Sequence, residues 1–241
     1  MNEKNQKVIV GIVAKHTNIN QSRINSLIRD EVKQAIFDNG GIAIGILSPN
    51  DEILYAGNDW KEYVDKIRKL DIISQLNLCD GIILQGGTTC EAYENWIAKY
   101  CYDNDIPILG ICAGQNGIAR GLGGTTFKIS NPNKHDRNSD EYVHKIIINK
   151  DSKFYSIVQK EEMMVNSRHK NSIKDCPKLN KVAFCEDGYS DVIEAPDKKF
   201  YIGVRFHPES LYKKDENMNN IFRAFLDSCK NRRIKNKQQL L

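Results

Sequence analysis

The sequence predicts an α/β protein: a mostly parallel central sheet with helices on both faces, and a smaller antiparallel β part in the C-terminal half. Three observations point there. In the first half, short continuous apolar runs alternate with segments of helical spacing, the pattern of parallel strands buried on both faces. Two of those runs end directly in glycine-rich turns, Gln85-Gly86-Gly87 and Gly110-Ile111-Cys112-Ala113-Gly114. From about Tyr142 the pieces become shorter and β-type, with turn signals at Asp187-Gly188 and Pro196-Asp197.

Element by element, Lys7–Ala14 (KVIVGIVA) is short and β-branched and reads as the first strand. A polar loop follows, then a helical pattern over Ser22–Asn39 closed by Gly40-Gly41, a C-cap signal. Ile42–Leu47 gives a second strand. Tyr63, Ile67, Leu70 and Ile73–Leu76 recur at helical spacing before a third strand, Gly81–Leu84. A helix over about Cys90–Tyr102, a fourth strand at Ile106–Ile111 and a helix to about Leu122 complete the alternating half. In the second half YVHKIIIN, KVAFCE, YSDVIEA and KKFYIGVRF are β-type, and Asp215–Lys230 reads as a closing helix with Met218, Ile221, Phe222 and Phe225 on one face.

Composition narrows the class. A length of 241 residues suits one large α/β domain, and neither a repeat nor a low-complexity linker argues for a second, so residues 1–241 are expected to form a single domain. No apolar run approaches the ~18 residues of a membrane span, and the N-terminus reads as a strand rather than a signal peptide, so a cytoplasmic protein without membrane contact is expected. The seven cysteines show no CxxC spacing, which argues against a disulfide framework and a zinc site. His135 and His144 lack nearby cysteines or carboxylates in a ligand pattern, so no metal is expected, and nothing demands an organic cofactor. The net charge of +4 is concentrated in the last stretch, a basic tail at about 232–241 read as a solvated helix end without nucleic-acid binding. A homodimer is the default expectation.

Gly-x-Cys-x-Gly between a buried strand and a helix is the cysteine form of the nucleophile elbow. Its glycines admit a tight approach of strand and helix, and the helix N-terminus after Cys112 favours thiolate. Taken alone, the motif also fits a strand–helix junction with a buried thiol. His207 ends a β-type run, YIGVRFHPE, and Glu209 falls on the same side if the chain stays extended through Pro208, where it would orient the imidazole. Alone, this segment also fits a surface turn. Strand ends of a parallel sheet share one rim, so elbow and histidine together favour a Cys-His-Glu triad.

The set LQGGT, GICAGQNG, VNSRH and GVRFHPE, in this order and spread over nearly the whole chain, resembles the class I glutamine amidotransferase-like superfamily, and more narrowly the γ-glutamyl-γ-aminobutyrate hydrolase family. The resemblance implies Cys112 as nucleophile, His207 as general base and then acid, and Glu209 as orienting carboxylate. It implies an oxyanion hole from the backbone N–H groups of Gly87 and Ala113, and substrate-binding positions at Gly86, Asn116, Asn166 and His169. The implied substrate is a small γ-glutamyl compound.

Three positions depart from the family pattern. Four residues after the nucleophile, Asn116 replaces the usual glutamine; Asn171 replaces the glutamine of VNSxHxQ; and Arg205-Phe206 stands where many relatives carry Gln-Trp or Gln-Phe. Each Gln-to-Asn change shortens the side chain by one methylene, which in a fitted hydrogen-bonding site costs ~1–3 kcal/mol. The leading expectation is therefore a stand-alone γ-glutamyl amide hydrolase of unassigned substrate. The alternatives are a glutaminase that supplies ammonia to a separate synthetase and a binding module that has lost activity.

Overall fold

In the computed structural model of the protein, residues 7–19, 23–50, 52–88, 90–137 and 141–238 are described. The first half runs β1 (Ile9–Val13), β2 (Lys15–Ile19), β3 (Arg23–Leu27), α1 (Asp30–Asp38) and β4 (Ile42–Ile46), then a 3₁₀ segment at Trp60–Lys66, α2 (Lys69–Leu76), β5 (Gly81–Leu84), α3 (Ala92–Asp103), β6 (Ile108–Ile111) and α4 (Ala113–Gly121). The second half runs β7 (Thr125–Lys128), α5 (Pro132–His135), β8 (His144–Ile148), α6 (Lys153–Val158), β9 (Glu162–Val165), β10 (Asn171–Asp175), β11 (Asn180–Cys185), β12 (Ser190–Glu194), β13 (Tyr201–Val204) and α7 (Glu216–Gln238).

Nine of the strands form one sheet in the order β4-β1-β5-β6-β13-β12-β11-β8-β9. The expected parallel and antiparallel parts are thus two halves of a single sheet. Strands β4, β1, β5, β6 and β13 are mutually parallel, and pairing from β13 through β12, β11 and β8 to β9 is antiparallel. Both faces are covered. Val32, Ile36, Phe222 and Phe225 from α1 and α7 pack on one side, and Ile72, Leu76, Ile97 and Ile118 from α2, α3 and α4 on the other, each in a continuous apolar cluster. Removing such side chains from water is the main stabilising term of the fold. No helix among the described residues is long and apolar enough to cross a membrane.

Two expectations need correction. The helix read over Ser22–Asn39 begins only at Asp30; Ser22 itself lies outside the described residues, and Arg23–Leu27 pairs with Lys15–Ile19 as an antiparallel hairpin. Helical spacing misled because Ile24 and Leu27, which would continue the apolar face of Val32, Ala35 and Ile36, are exposed in the hairpin. The chain is held extended at Arg29 (φ −69°, ψ 131°), whose N–H donates to Gln85 Oε1 at 2.8 Å, so the helix cannot start earlier. Its end matches the C-cap signal: Gly40 takes φ +85° and Gly41 N–H returns to Ile36 O at 2.9 Å.

The basic tail is the second correction. Helix α7 continues through it to Gln238, and Arg232 donates to Cys79 O at 3.2 Å. Arg233 bonds Asp80 Oδ1 at 3.0 Å and Lys7 O at 2.6 Å, while Asp80 Oδ2 accepts the Ile9 N–H at 2.7 Å. Arg232 and Arg233 therefore fasten the tail to Cys79 and the start of β1, while residues 234–238 are the exposed helix end that was expected. Arg233→Ala should lower the unfolding free energy by about 1–2 kcal/mol, read as a lower urea midpoint at unchanged m-value.

Candidate active site

Three neighbouring parallel strands end at one rim. Leu84 of β5 pairs with Gly110 of β6, and Gly110 and Ile111 pair with Gly203 and Val204 of β13. Cys112 follows β6 directly, with its N–H on Val204 O at 2.8 Å and its backbone at φ +53°, ψ −104°. A non-glycine residue in this region carries ~1–3 kcal/mol of strain and persists only where neighbours enforce it. Here they do so tightly. A Cβ on Gly114 would lie 1.9 Å from Leu84 O, and one on Gly110 2.7 Å from the Gly114 carbonyl carbon, so both flanking positions exclude any side chain. Helix α4 starts at Ala113, with its N-terminus at the sulfur.

His207 leaves β13 three residues after Val204, and its Nδ1 lies 2.7 Å from Glu209 Oε1, both residues buried. The route differs from the extended one expected: Pro208–Ser210 forms a 3₁₀ turn, and the Glu209 carboxylate folds back onto the ring. With the carboxylate accepting, Nδ1 carries the proton and Nε2 is left for Cys112. Asn166, expected to meet substrate, is fully buried and grips the His207 backbone: its Oδ1 accepts the His207 N–H at 2.7 Å and its Nδ2 donates to His207 O at 3.0 Å. Its amide thus fixes the backbone that carries the His207 ring.

The departures at 116 and 205 prove to be one paired feature. Arg205, 1% exposed, donates from Nη2 to Asn116 Oδ1 at 2.9 Å and from Nη1 to Cys112 O at 3.3 Å. Where the side chain at 116 is shorter, the one at 205 is longer. Gln115, which sequence reasoning left without a role, is fully buried and donates to Asp191 O at 3.1 Å and Gly203 O at 3.2 Å, tying α4 to β12 and β13. A charged residue inside the apolar run YIGVRF was the available signal for Arg205.

Gly86 stands against the pair: a Cβ there would lie 2.8 Å from His207 Cε1 and 3.4 Å from Cys112 Cβ. The Lys15 stem packs against Gly87, and the Lys15 ammonium is paired with Glu94 at 2.5 Å in the interior. Gln85, also missed, is a three-way tie, donating from Nε2 to Val13 O and Leu27 O at 2.9 Å each while accepting from Arg29. His169 is buried, its Nδ1 3.0 Å from Asn171 O. Burial and the nearby positive Arg205 push its pKa down to about 2, so it stays neutral. His135 and His144, distant in sequence, have ring centroids 5.0 Å apart beside it.

Burial alone would raise the Cys112 thiol. The positive charge and hydrogen bond of His207, with the charge of Arg205, outweigh it and hold the pKa below the usual thiol value. Burial likewise disfavours the His207 cation, but Glu209 and the Cys112 thiolate raise its pKa to about 10. The other six cysteines all shift upward, chiefly through burial, to about 12 at Cys79 and about 11 at Cys90 and Cys185. Between the lowered and the raised value the site is a thiolate–imidazolium pair. Iodoacetamide should therefore alkylate the native protein at Cys112 alone, at a rate that holds up well below pH 9.0. In His207→Ala the rate should fall with pH as for an ordinary thiol. Peptide mass mapping across pH reads both.

The sequence profile of the peptidase C26 family matches residues 88–209, about half of the chain, a span that includes Cys112, His207 and Glu209. One subunit of the glutamine-hydrolysing GMP synthase from Methanococcus aeolicus is 32% identical over 155 residues, covering 62% of this chain and 73% of that protein. The CTP synthase of Chlamydia muridarum is 26% identical over 174 residues, covering 59% of this chain but 32% of that protein, so the chain spans about a third of the length of this relative. In structure, a GMP synthase subunit from Thermoplasma acidophilum aligns over 96% of this chain and 99% of its own at 19% identity and a TM-score of 0.66. The glutaminase domain of Trypanosoma brucei CTP synthase, solved with acivicin, aligns over 93% and 94% at 15% identity and a TM-score of 0.62. Fold, motif order and profile agree: the chain has the class I glutamine amidotransferase-like fold and belongs to the peptidase C26 family.

Proposed function

We propose that this chain is a glutaminase that releases ammonia for a synthetase carried on a separate chain. The observation that carries its chemistry is Cys112, held at φ +53° beside the His207–Glu209 pair. The Cys112 thiolate attacks the side-chain carbonyl of a glutamyl amide, and the developing oxyanion takes hydrogen bonds from the Ala113 and Gly87 N–H groups, each worth about 3 kcal/mol at the transition state. Ala113 opens α4, so its N–H has no intrahelical acceptor. The His207 imidazolium donates its proton to the leaving nitrogen as the C–N bond breaks, which leaves a thioester and a neutral imidazole. That imidazole then takes a proton from water, whose oxygen displaces the sulfur and frees glutamate. Glu209 stabilises the imidazolium in both steps.

The sequence favoured stand-alone hydrolysis of a γ-glutamyl amine, and the relatives shift the order. Their names include a glutamine-hydrolysing synthase subunit of which this chain covers 73%, and this supports the ammonia-supplying reading. Hydrolysis of a γ-glutamyl amine remains the second reading, supported by the peptidase family and by the Asn116–Arg205 pair where the family pattern has glutamine.

Purified protein offered glutamine and a panel of γ-glutamyl amines separates the two. Ammonia from glutamine as the main product is expected; amine release from a γ-glutamyl amine with glutamine inert would favour the second reading. With either substrate Cys112→Ala and His207→Ala should lower kcat by about 10⁴-fold or more, and Glu209→Gln by less. An acyl adduct on Cys112 should be trapped by intact mass only in proteins that retain the thiol. Full turnover by Cys112→Ala would remove both readings.

A further inference from the structure

His135 at the end of α5, His144 at the start of β8 and Cys185 at the end of β11 converge beside the active site. One ring nitrogen of each histidine and the Cys185 sulfur lie within 4.8 Å of one another. The convergence comes from strand register: Cys185 pairs with Ile146, two residues along β8 from His144, and the His135 carbonyl accepts both the His169 N–H at 3.0 Å and the Ser167 hydroxyl at 2.5 Å. None of this is visible in spacing along the chain.

Hydrogen bonds decide the tautomers. Asp187 Oδ2 lies 3.2 Å from His135 Nε2, and Asp191 Oδ1 lies 3.3 Å from His144 Nε2. An ionised carboxylate only accepts, so each Nε2 carries the proton and each Nδ1 keeps a lone pair. His169 Nδ1 donates to Asn171 O, so its lone pair is on Nε2. All three lone-pair nitrogens are buried and make no hydrogen bond. The rings form one group, with centroids 5.0 Å from His135 to each of the others and 6.4 Å between His144 and His169. Buried acceptors without donors are costly. Imidazoles whose far nitrogen donates to a carboxylate or carbonyl are also what a metal site requires.

We propose that His135, His144 and Cys185 bind a divalent cation of the zinc class, with the His169 ring beside both histidines. Two imidazoles and a thiolate are a donor set of intermediate softness, which disfavours magnesium and calcium. In a tetrahedral site the ligand atoms stand about 3.4–3.6 Å apart, so the cluster closes by about 1 Å through side-chain rotation. On binding, the Cys185 thiol loses its proton to solvent and its sulfur bonds the cation. Asp187 and Asp191 offset the remaining positive charge, with Arg205 nearby. The ion does not enter the hydrolysis. It fastens the 132–137 segment to β8 and β11, and the His135 carbonyl, which accepts the His169 N–H and the Ser167 hydroxyl, passes that anchoring to the stretch whose Asn166 holds His207.

The test uses the full chain, stripped with a chelator and titrated with Co(II) and then Zn(II). One equivalent should bind and give the ligand-field bands of a tetrahedral site and a thiolate-to-cobalt charge-transfer band. Cys185→Ser should lose that band and Cys112→Ala should keep it. Asp187→Ala, a substitution at a partly exposed carboxylate that keeps the fold, should weaken binding about 10-fold or more. Zn(II) should raise the thermal midpoint of the wild type and not of Cys185→Ser. If Cys185→Ser does not fold, His135→Gln takes its place and should lose the same affinity. No stoichiometric binding, undiminished binding in these variants, or a charge-transfer band that follows Cys112 instead of Cys185 would each overturn the proposal.

Discussion

The left-handed backbone of Cys112 is the constraint on which the active site depends. A thiol on an ordinary strand end would lie along the sheet, among apolar neighbours that keep it protonated. At φ +53° the chain reverses into α4 within one residue, and the sulfur stands at the rim at a helix N-terminus. The strain is small beside what enforces it. Gly110 and Gly114 let helix and strand close to contact, Val204 O takes the Cys112 N–H, and Arg205 takes its carbonyl. These contacts come from β5, β6, α4, β13 and the residue after β13, so the elbow exists only where these elements are packed together.

Electrostatics then follows from burial. A buried thiolate is costly alone, and so is a buried imidazolium; placed in contact with Glu209 behind, each makes the other tolerable. Arg205 adds a second positive charge behind the nucleophile. Because its guanidinium also bonds Asn116, the residue that lowers the Cys112 pKa fixes a side chain of α4 one turn after the elbow. The elbow carbonyl and Asn116 are therefore held by one side chain.

Much of this was legible in the sequence. The alternation of apolar runs, the elbow and His207-Pro208-Glu209 sufficed to place Cys112 and His207 on one rim, because parallel strands impose it. What was not legible depends on contacts between distant segments. Helical spacing continued from Val32 back to Ile24, and only the capture of Arg29 by Gln85 reveals that the chain is extended there. Asn166 sits in a recognisable motif, yet its use is fixed by a backbone 41 residues away. Likewise, His135, His144 and Cys185 carry no spacing signal, since sheet register alone unites them.

The position of β13 has a further consequence. It is the last strand in chain order among the described residues, yet it lies in the interior of the sheet between β6 and β12. A chain without it lacks the second pairing partner of β6, the Val204 carbonyl that accepts the Cys112 N–H and the His207 imidazole that lowers the pKa of the sulfur. The pairing of β13 with β6 therefore completes the site, because it brings both the carbonyl that holds Cys112 and the imidazole that faces it.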